Sequence, residues 1–226
     1  MSRDNRPGVL FDLDGTMTDP FEGITRSIQY ALEKLGRIAP ATDDLRWCIG
    51  PPLVDAFKFL LETEEETAPA QAILFYRERY TTVGKFENRV IDGIPQTLEA
   101  FADTGYRLIV ATSKPRSYTL DILDHFDLAR HFDAVHGSEL DGRNSDKADL
   151  IRHIILQEAV EPGTATMIGD RLHDIVGANA NKVASIGVLW GYGDRAELEE
   201  ADADRIAERP QDLPAHVESM KAAVAG

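Results

Sequence analysis

The sequence predicts an α/β protein in which a parallel sheet domain of three layers is interrupted by an all-helical module. Two observations lead there. From Ile91 onward, short apolar runs alternate with stretches of helical spacing, the pattern of parallel strands joined by crossover helices. From about Thr18 to Arg89 the apolar residues recur only at helical spacing, yet one further apolar run, Val9-Leu10-Phe11, stands upstream of that block. That first strand has to join the sheet from across the helical block, so the sheet domain is discontinuous.

The elements follow in order. Val9-Leu10-Phe11 reads as a buried strand delivering Asp12 and Asp14 onto a turn at Gly15. Asp19-Pro20 reads as a helix cap followed by proline at the first helical position, and Ile24, Ile28, Ala31, Leu32 and Leu35 then recur until Gly36. A second helix begins near Pro51-Pro52 with Leu53, Phe57, Leu60 and Leu61, and a third covers about Pro69 to Val83. Strands are expected at Leu108–Ala111, Phe132–Val135, Ala165–Ile168 and Ser185–Leu189, with helices near 95–104, 116–126, 147–159, 172–181 and 211–223. The result is a Rossmann-like core of residues 1–17 and 90–226 with a helical domain at 18–89.

Composition narrows the function classes. Lys and Arg number 24 against 39 Asp and Glu, a formal net charge of -15, and no basic face is evident for nucleic acid or an anionic membrane. Cys48 is the sole cysteine, which excludes an intrachain disulfide or a cysteine zinc cluster and fits a reducing compartment. The N-terminal stretch from Met1 to Pro7 is basic in flavour. The apolar run behind it is short and ends in acids, so neither a signal peptide nor a membrane span is expected, and the cytoplasm is the expected location.

Polar groups punctuate the strand ends. Asp12 and Asp14, two residues apart, start on one side of a strand, and two like charges held that close call for a cation or a proton between them. The pair predicts a metal site, a catalytic acid, or both. Thr112-Ser113, directly after Leu108–Ala111, offers a hydroxyl and amides suited either to an anionic oxygen or to a helix cap. Lys147 follows the candidate caps Ser145 and Asp146 and so falls in a first helical turn, where the helix dipole disfavours a cation; it is either an exposed lysine or one with an anionic partner. Asp170 and Asp174 follow another buried strand, four residues apart, and are expected on one face of the helix that begins there. Parallel strands feeding one edge bring Asp12, Asp14, Thr112, Lys147 and Asp170 around one crevice. Carboxylates with no histidine or thiolate beside them suit magnesium rather than zinc.

These segments resemble the haloacid dehalogenase-like hydrolases, and within them the phosphoglycolate phosphatase and 5'-nucleotidase-like branch. Phe11-Asp12-Leu13-Asp14-Gly15-Thr16 is similar to the family's nucleophile motif, Val110-Ala111-Thr112-Ser113-Lys114-Pro115 to its hydroxyl motif, Lys147 to its lysine, and Ile168 to Asp174 to its acidic motif. Ile49-Gly50-Pro51-Pro52-Leu53 and Leu189-Trp190-Gly191-Tyr192-Gly193 resemble the named branch. The resemblance implies a phosphatase acting on a small phosphorylated metabolite. In it Asp12 takes the phosphoryl group, Asp14 is acid and base, and Mg2+ is held by Asp12, Asp170 and the backbone carbonyl of Asp14, with Asp174 orienting the site from behind. Thr112, Ser113 and Lys147 would hold phosphate, and the helical domain would be a cap that contacts the substrate's far end through Gly50, Arg46 and Lys58. The expected substrate is phosphoglycolate. The alternatives are a nucleoside monophosphate, a sugar-phosphate mutase reaction, and a silent protein that only binds a phosphorylated ligand. Oligomeric state is not legible.

Overall fold

Alternation along three central strands buries the sheet on both sides. A computed structural model describes Arg6 to Ala102 and Thr104 to Val224. Met1–Asn5 of the basic N-terminal stretch, and Asp103 of the helix expected at 95–104, lie outside the described residues. In chain order the elements are β1 (Gly8–Phe11), β2 (Thr18–Asp19), α1 (Phe21–Lys34), α2 (Leu53–Leu61), α3 (Thr67–Tyr80), β3 (Arg89–Val90), α4 (Ile94–Ala102), β4 (Arg107–Pro115), α5 (Arg116–His125), β5 (Ala134–Ser138), α6 (Lys147–Glu158), β6 (Thr166–Gly169), α7 (Leu172–Ala180), β7 (Ala184–Val188), α8 (Arg195–Glu200), β8 (Arg205–Ala207) and α9 (Leu213–Val224). The chain divides into two compact units, residues 1–18 with 90–226, and residues 19–89.

In the first unit six strands pair in the order β5-β4-β1-β6-β7-β8, all parallel. Val9 and Phe11 of β1, Leu108 and Val110 of β4 and Ile168 of β6 face one core with residues of α4, α5 and α9. Leu10, Ile109, Ala111 and Met167 face the other, with Leu150, Ile151 and Ile154 of α6 and Ala178 of α7. Successive strand residues point to opposite faces, so unbroken apolar runs make a strand with helices on both sides, which is the three-layer arrangement. With β1 between β4 and β6, the chain winds outward from β1 in both directions, and the crevice beyond the carboxyl ends of these three strands is where such sheets bind ligands.

The second unit is helical. α1 buries Ile24, Ile28, Ala31 and Leu32 at the expected spacing, and α2 and α3 bury Phe57, Leu61, Ala72, Tyr76 and Tyr80. Arg79 grips Glu87 through both guanidinium nitrogens at 2.6 and 3.0 Å, and Arg26 reaches the same carboxylate at 3.0 Å. No helix among the described residues is long and apolar enough to cross a membrane.

Several expectations need correction. Pro20 is the cap of α1 rather than its first residue, and Asp19 Oδ1 accepts from the Phe21 amide at 3.2 Å. Two-residue strands, β2 and β3, pair with each other at the edges of the block expected to be wholly helical. The edge strand β8 and the short helix α8 were not legible, because three residues and six residues carry too little periodicity. β4 continues past Thr112 to Pro115.

Candidate active site

The carboxyl ends of β1 and β6, the end of β4 and the start of α6 gather the polar residues. Asp12 directly follows β1, and its amide donates to Ile168 O at 2.9 Å, so the ladder to β6 fixes where its side chain leaves the sheet. Lys147 opens α6, whose cap is Asp146, with its carboxylate accepting from the Asp149 amide. Its Nζ sits 2.9 Å from Asp12 Oδ1, 2.7 Å from Asp174 Oδ1 and 2.9 Å from Ala111 O. The cation disfavoured by the dipole therefore has two carboxylate partners. Burial pushes its pKa down, but Asp12 and Asp174 outweigh burial, and the net shift is upward.

Asp170 is wholly buried, accepting from Thr16 Oγ1 at 3.2 Å and from the Tyr192 amide at 2.8 Å. It precedes α7 instead of lying on it, which corrects the expectation of one helical face. Asp174, in the first turn of α7, brings a carboxylate oxygen within 4.8 Å of one on Asp170, and its Oδ2 accepts from the Arg171 amide at 3.2 Å. The loop is held from behind by Glu197 of α8, which accepts from Arg171 Nε and the Leu172 amide, both at 2.8 Å.

Two glycines make room for Asp170. At Gly15, where φ is +84°, a Cβ would fall 2.2 Å from Asp170 Oδ2, and at Gly191 it would fall 2.3 Å from Asp170 Cβ. Neither position can carry a side chain without moving the carboxylate. The Trp190–Gly193 segment thus supports the acidic cluster: Trp190 Nε1–H also donates to Thr16 O at 3.0 Å. These residues stood out in the sequence with no role attached, since no local pattern says that a segment after β7 packs against the residue after β6.

Asp12, Asp170 and Asp174 each offer a carboxylate oxygen within 4.8 Å of the others, all three residues buried. Burial, then Asp12 and Asp174, raise the Asp170 pKa well above the ordinary value, and burial raises that of Asp174 to about 6 against the pull of Lys147. A buried, oxygen-only donor set that resists ionisation without added positive charge is the chemistry a hard divalent cation fits. Asp14 differs. Its Oδ2 pairs with Lys114 Nζ at 2.6 Å, while Oδ1 is buried with no hydrogen-bond partner among the described residues. Burial raises its pKa, Lys114 opposes that, and Asp12 adds to it. Thr112 is buried and its Oγ1 accepts from the Lys114 amide at 3.2 Å, with Ser113 half-buried beside it. Lys114 lay inside a motif that the sequence singled out, but its partner, across the sheet edge in another segment, was not readable.

The three remaining candidates belong to the helical unit. Arg46 and Gly50 are exposed, with the Arg46 guanidinium 6.0 Å from the Phe21 ring centroid, and Lys58 is paired with Glu66 at 2.8 Å.

A pH dependence follows. An aspartate whose folded pKa is about 6 against an ordinary 3.8 binds its proton more tightly when folded, so its contribution to stability falls as pH rises from about 4 through about 6. His131 and His173, held below their ordinary value chiefly by burial, pull the other way. The expected result in chelator is that Asp174→Asn flattens the decline in urea midpoint between about pH 4 and about pH 6 relative to wild type. An unchanged profile would contradict the raised Asp174 pKa.

The haloacid dehalogenase-like hydrolase family matches residues 9–188. The chain is 50% identical over 192 residues to the 5'-nucleotidase of Pseudomonas aeruginosa, covering 85% of this chain and 86% of that protein. It is 38% identical over 187 residues to the tyrosine-protein kinase PtkA of Mycobacterium tuberculosis, covering 82% of this chain and 62% of that one. It is 30% identical over 198 residues to the phosphoglycolate phosphatase of Agrobacterium fabrum, covering 85% and 84%. The crystal structure of a predicted phosphatase from Clostridium acetobutylicum superposes with a TM-score of 0.90 at 41% identity, covering 95% of this chain and 99% of that one. Matched along most of its length and carrying its acids at one sheet edge, the chain belongs to the haloacid dehalogenase-like hydrolases, in their phosphoglycolate phosphatase and 5'-nucleotidase-like branch, and is a phosphoric monoester hydrolase.

Proposed function

We propose that this hydrolase is a magnesium-dependent phosphatase that cleaves a small phosphomonoester through a phosphoryl group carried on Asp12, with nucleoside 5'-monophosphates as the leading substrate class. The observation that carries the reading is the meeting of Asp12, Lys147, Asp170 and Asp174 in one buried cluster. A carboxylate nucleophile divides a slow displacement into two easier ones. Lys147 neutralises Asp12 against an incoming dianion, while Thr112 Oγ1 and the Ser113 amide hold phosphate oxygens. Asp14 protonates the leaving oxygen and then deprotonates water; burial, which raises its pKa, favours the protonated start. Asp12, Asp170 and the backbone carbonyl of Asp14 would hold magnesium, with Asp174 orienting them; the bound ion supplies positive charge that screens the nucleophile from the phosphate.

Identity of 50% to a 5'-nucleotidase against 30% to a phosphoglycolate phosphatase supports a nucleotide over phosphoglycolate, reversing the order expected from the sequence. We read the helical unit as a cap, with Gly50 and Arg46 as contacts to the substrate's far end. The acidic net charge, -15, fits a small-molecule partner, and the buried Cys48 fits the cytoplasm.

Phosphate release measured as kcat/KM across 5'-mononucleotides, phosphoglycolate and sugar phosphates tests the reading, with the nucleotides expected to lead. The readout also separates transfer to water from transfer to another acceptor. Removal of magnesium by chelation is expected to lower turnover by at least about 10²-fold, restored on adding the ion back; undiminished turnover in chelator would sink the metal-dependent mechanism.

A further inference from the structure

We infer that Lys114 is the positioning residue for Asp14, deciding which of its two oxygens exchanges the proton; this rests on the reading of Asp14 as acid and base. Lys114 Nζ lies 2.6 Å from Asp14 Oδ2, with side-chain exposures of 6% and 15%. A break in the sheet register brings it there. β4 pairs with β5 up to Thr112 and Gly137 and next at Pro115 and Ser138, so Ser113 and Lys114 are extra residues on β4. Such a bulge re-aims side chains out of the strand's alternation. It is pinned on both sides: the Lys114 amide donates to Thr112 Oγ1 at 3.2 Å, and its carbonyl oxygen crowds Gly137, where a Cβ would fall 2.5 Å away. Thr112, proposed to hold phosphate, and Lys114 are thus parts of one bulged segment.

The two Asp14 oxygens are consequently unlike. Oδ2 is held by an ammonium group, and Oδ1 is buried with no hydrogen-bond partner among the described residues. Oδ1 is therefore the oxygen that carries the proton. As the bond from Asp12 to phosphorus forms and the bond from phosphorus to the leaving oxygen breaks, that proton passes to the leaving oxygen. As water then attacks phosphorus and the bond to Asp12 breaks, a water proton returns to Oδ1 and phosphate departs. Lys114 stays on Oδ2 throughout.

The test compares phenyl phosphate, whose leaving oxygen needs the proton, with 4-nitrophenyl phosphate, whose leaving oxygen needs it far less. In Lys114→Met, kcat/KM for phenyl phosphate is expected to fall about 10²-fold and that for 4-nitrophenyl phosphate about tenfold less, with the loss in kcat rather than KM. The ratio of the two substrates within one variant is insensitive to the fraction of protein folded. Asp14→Asn serves as reference. If Asp14→Asn shifts the ratio and Lys114→Met leaves it unchanged, the assignment of Lys114 is overturned while Asp14 keeps its role. If neither shifts it, Asp14 is not the acid, and both readings fall. A loss confined to KM makes Lys114 a substrate-binding cation and overturns the assignment as well.

Discussion

Asp12→Asn is expected to abolish phosphate release from a generic aryl phosphate, a loss of about 10⁴-fold or more, while leaving the protein folded. The amide is nearly the same size as the carboxylate and keeps an oxygen for the Lys147 ammonium at the place where Asp12 Oδ1 now sits, 2.9 Å away. It is no nucleophile for phosphorus, so the first displacement has no acceptor. Stability should change little. Lys147 keeps its contact to Asp174 at 2.7 Å, and removing one of three crowded carboxylates relieves repulsion that now raises the Asp170 pKa. Circular dichroism and thermal melting beside a phosphate-release assay check both halves. Turnover within tenfold of wild type in a folded variant would eliminate Asp12 as nucleophile.

Lys147→Met should cost both activity and stability. The ammonium is 5% exposed and lies between two carboxylates and a carbonyl oxygen. Methionine fills the space but leaves Asp12 and Asp174 buried without that counter-charge, and removing one partner of a buried charged cluster destabilises by about 3 to 5 kcal/mol. The urea midpoint in chelator should fall accordingly. Added magnesium should recover part of the stability, since an ion that binds only the folded state stabilises it by mass action. It should not recover activity, because the phosphate would still approach Asp12 without the lysine. A melting curve indistinguishable from wild type in chelator would mean that the carboxylates are neutral in the metal-free protein.

Much of the fold was legible because its strands are buried on both faces. Runs such as Leu108–Ala111 and Val9–Phe11 leave no polar position, and that density marks a central parallel strand wherever it occurs. The edge strand β8, three residues with an exposed Arg205, carries no such signature. Within the site, Asp12, Lys147, Asp170 and Asp174 each interrupt a readable element, and that made them visible. Lys114, Tyr192 and Glu197 act through partners remote in sequence: a lysine at a bulge, a backbone amide and a surface-helix carboxylate look ordinary until the chain is folded. The partner of Lys58, Glu66 eight residues away, was likewise not readable from local pattern.

The sequence by itself determined the kind of reaction, since the order of acids, hydroxyl and lysine behind apolar runs, together with the family they resemble, leaves few chemistries open. Tertiary structure alone decided how the charges are shared: that Lys147 bridges Asp12 and Asp174, that Asp170 is enclosed by Gly15 and Gly191, and that Asp14 answers to Lys114. The physical reason is range. Burial and periodicity are written into neighbouring residues, whereas the Coulomb partners of a buried charge are set by distances of about 3 Å between segments that only the sheet order brings together.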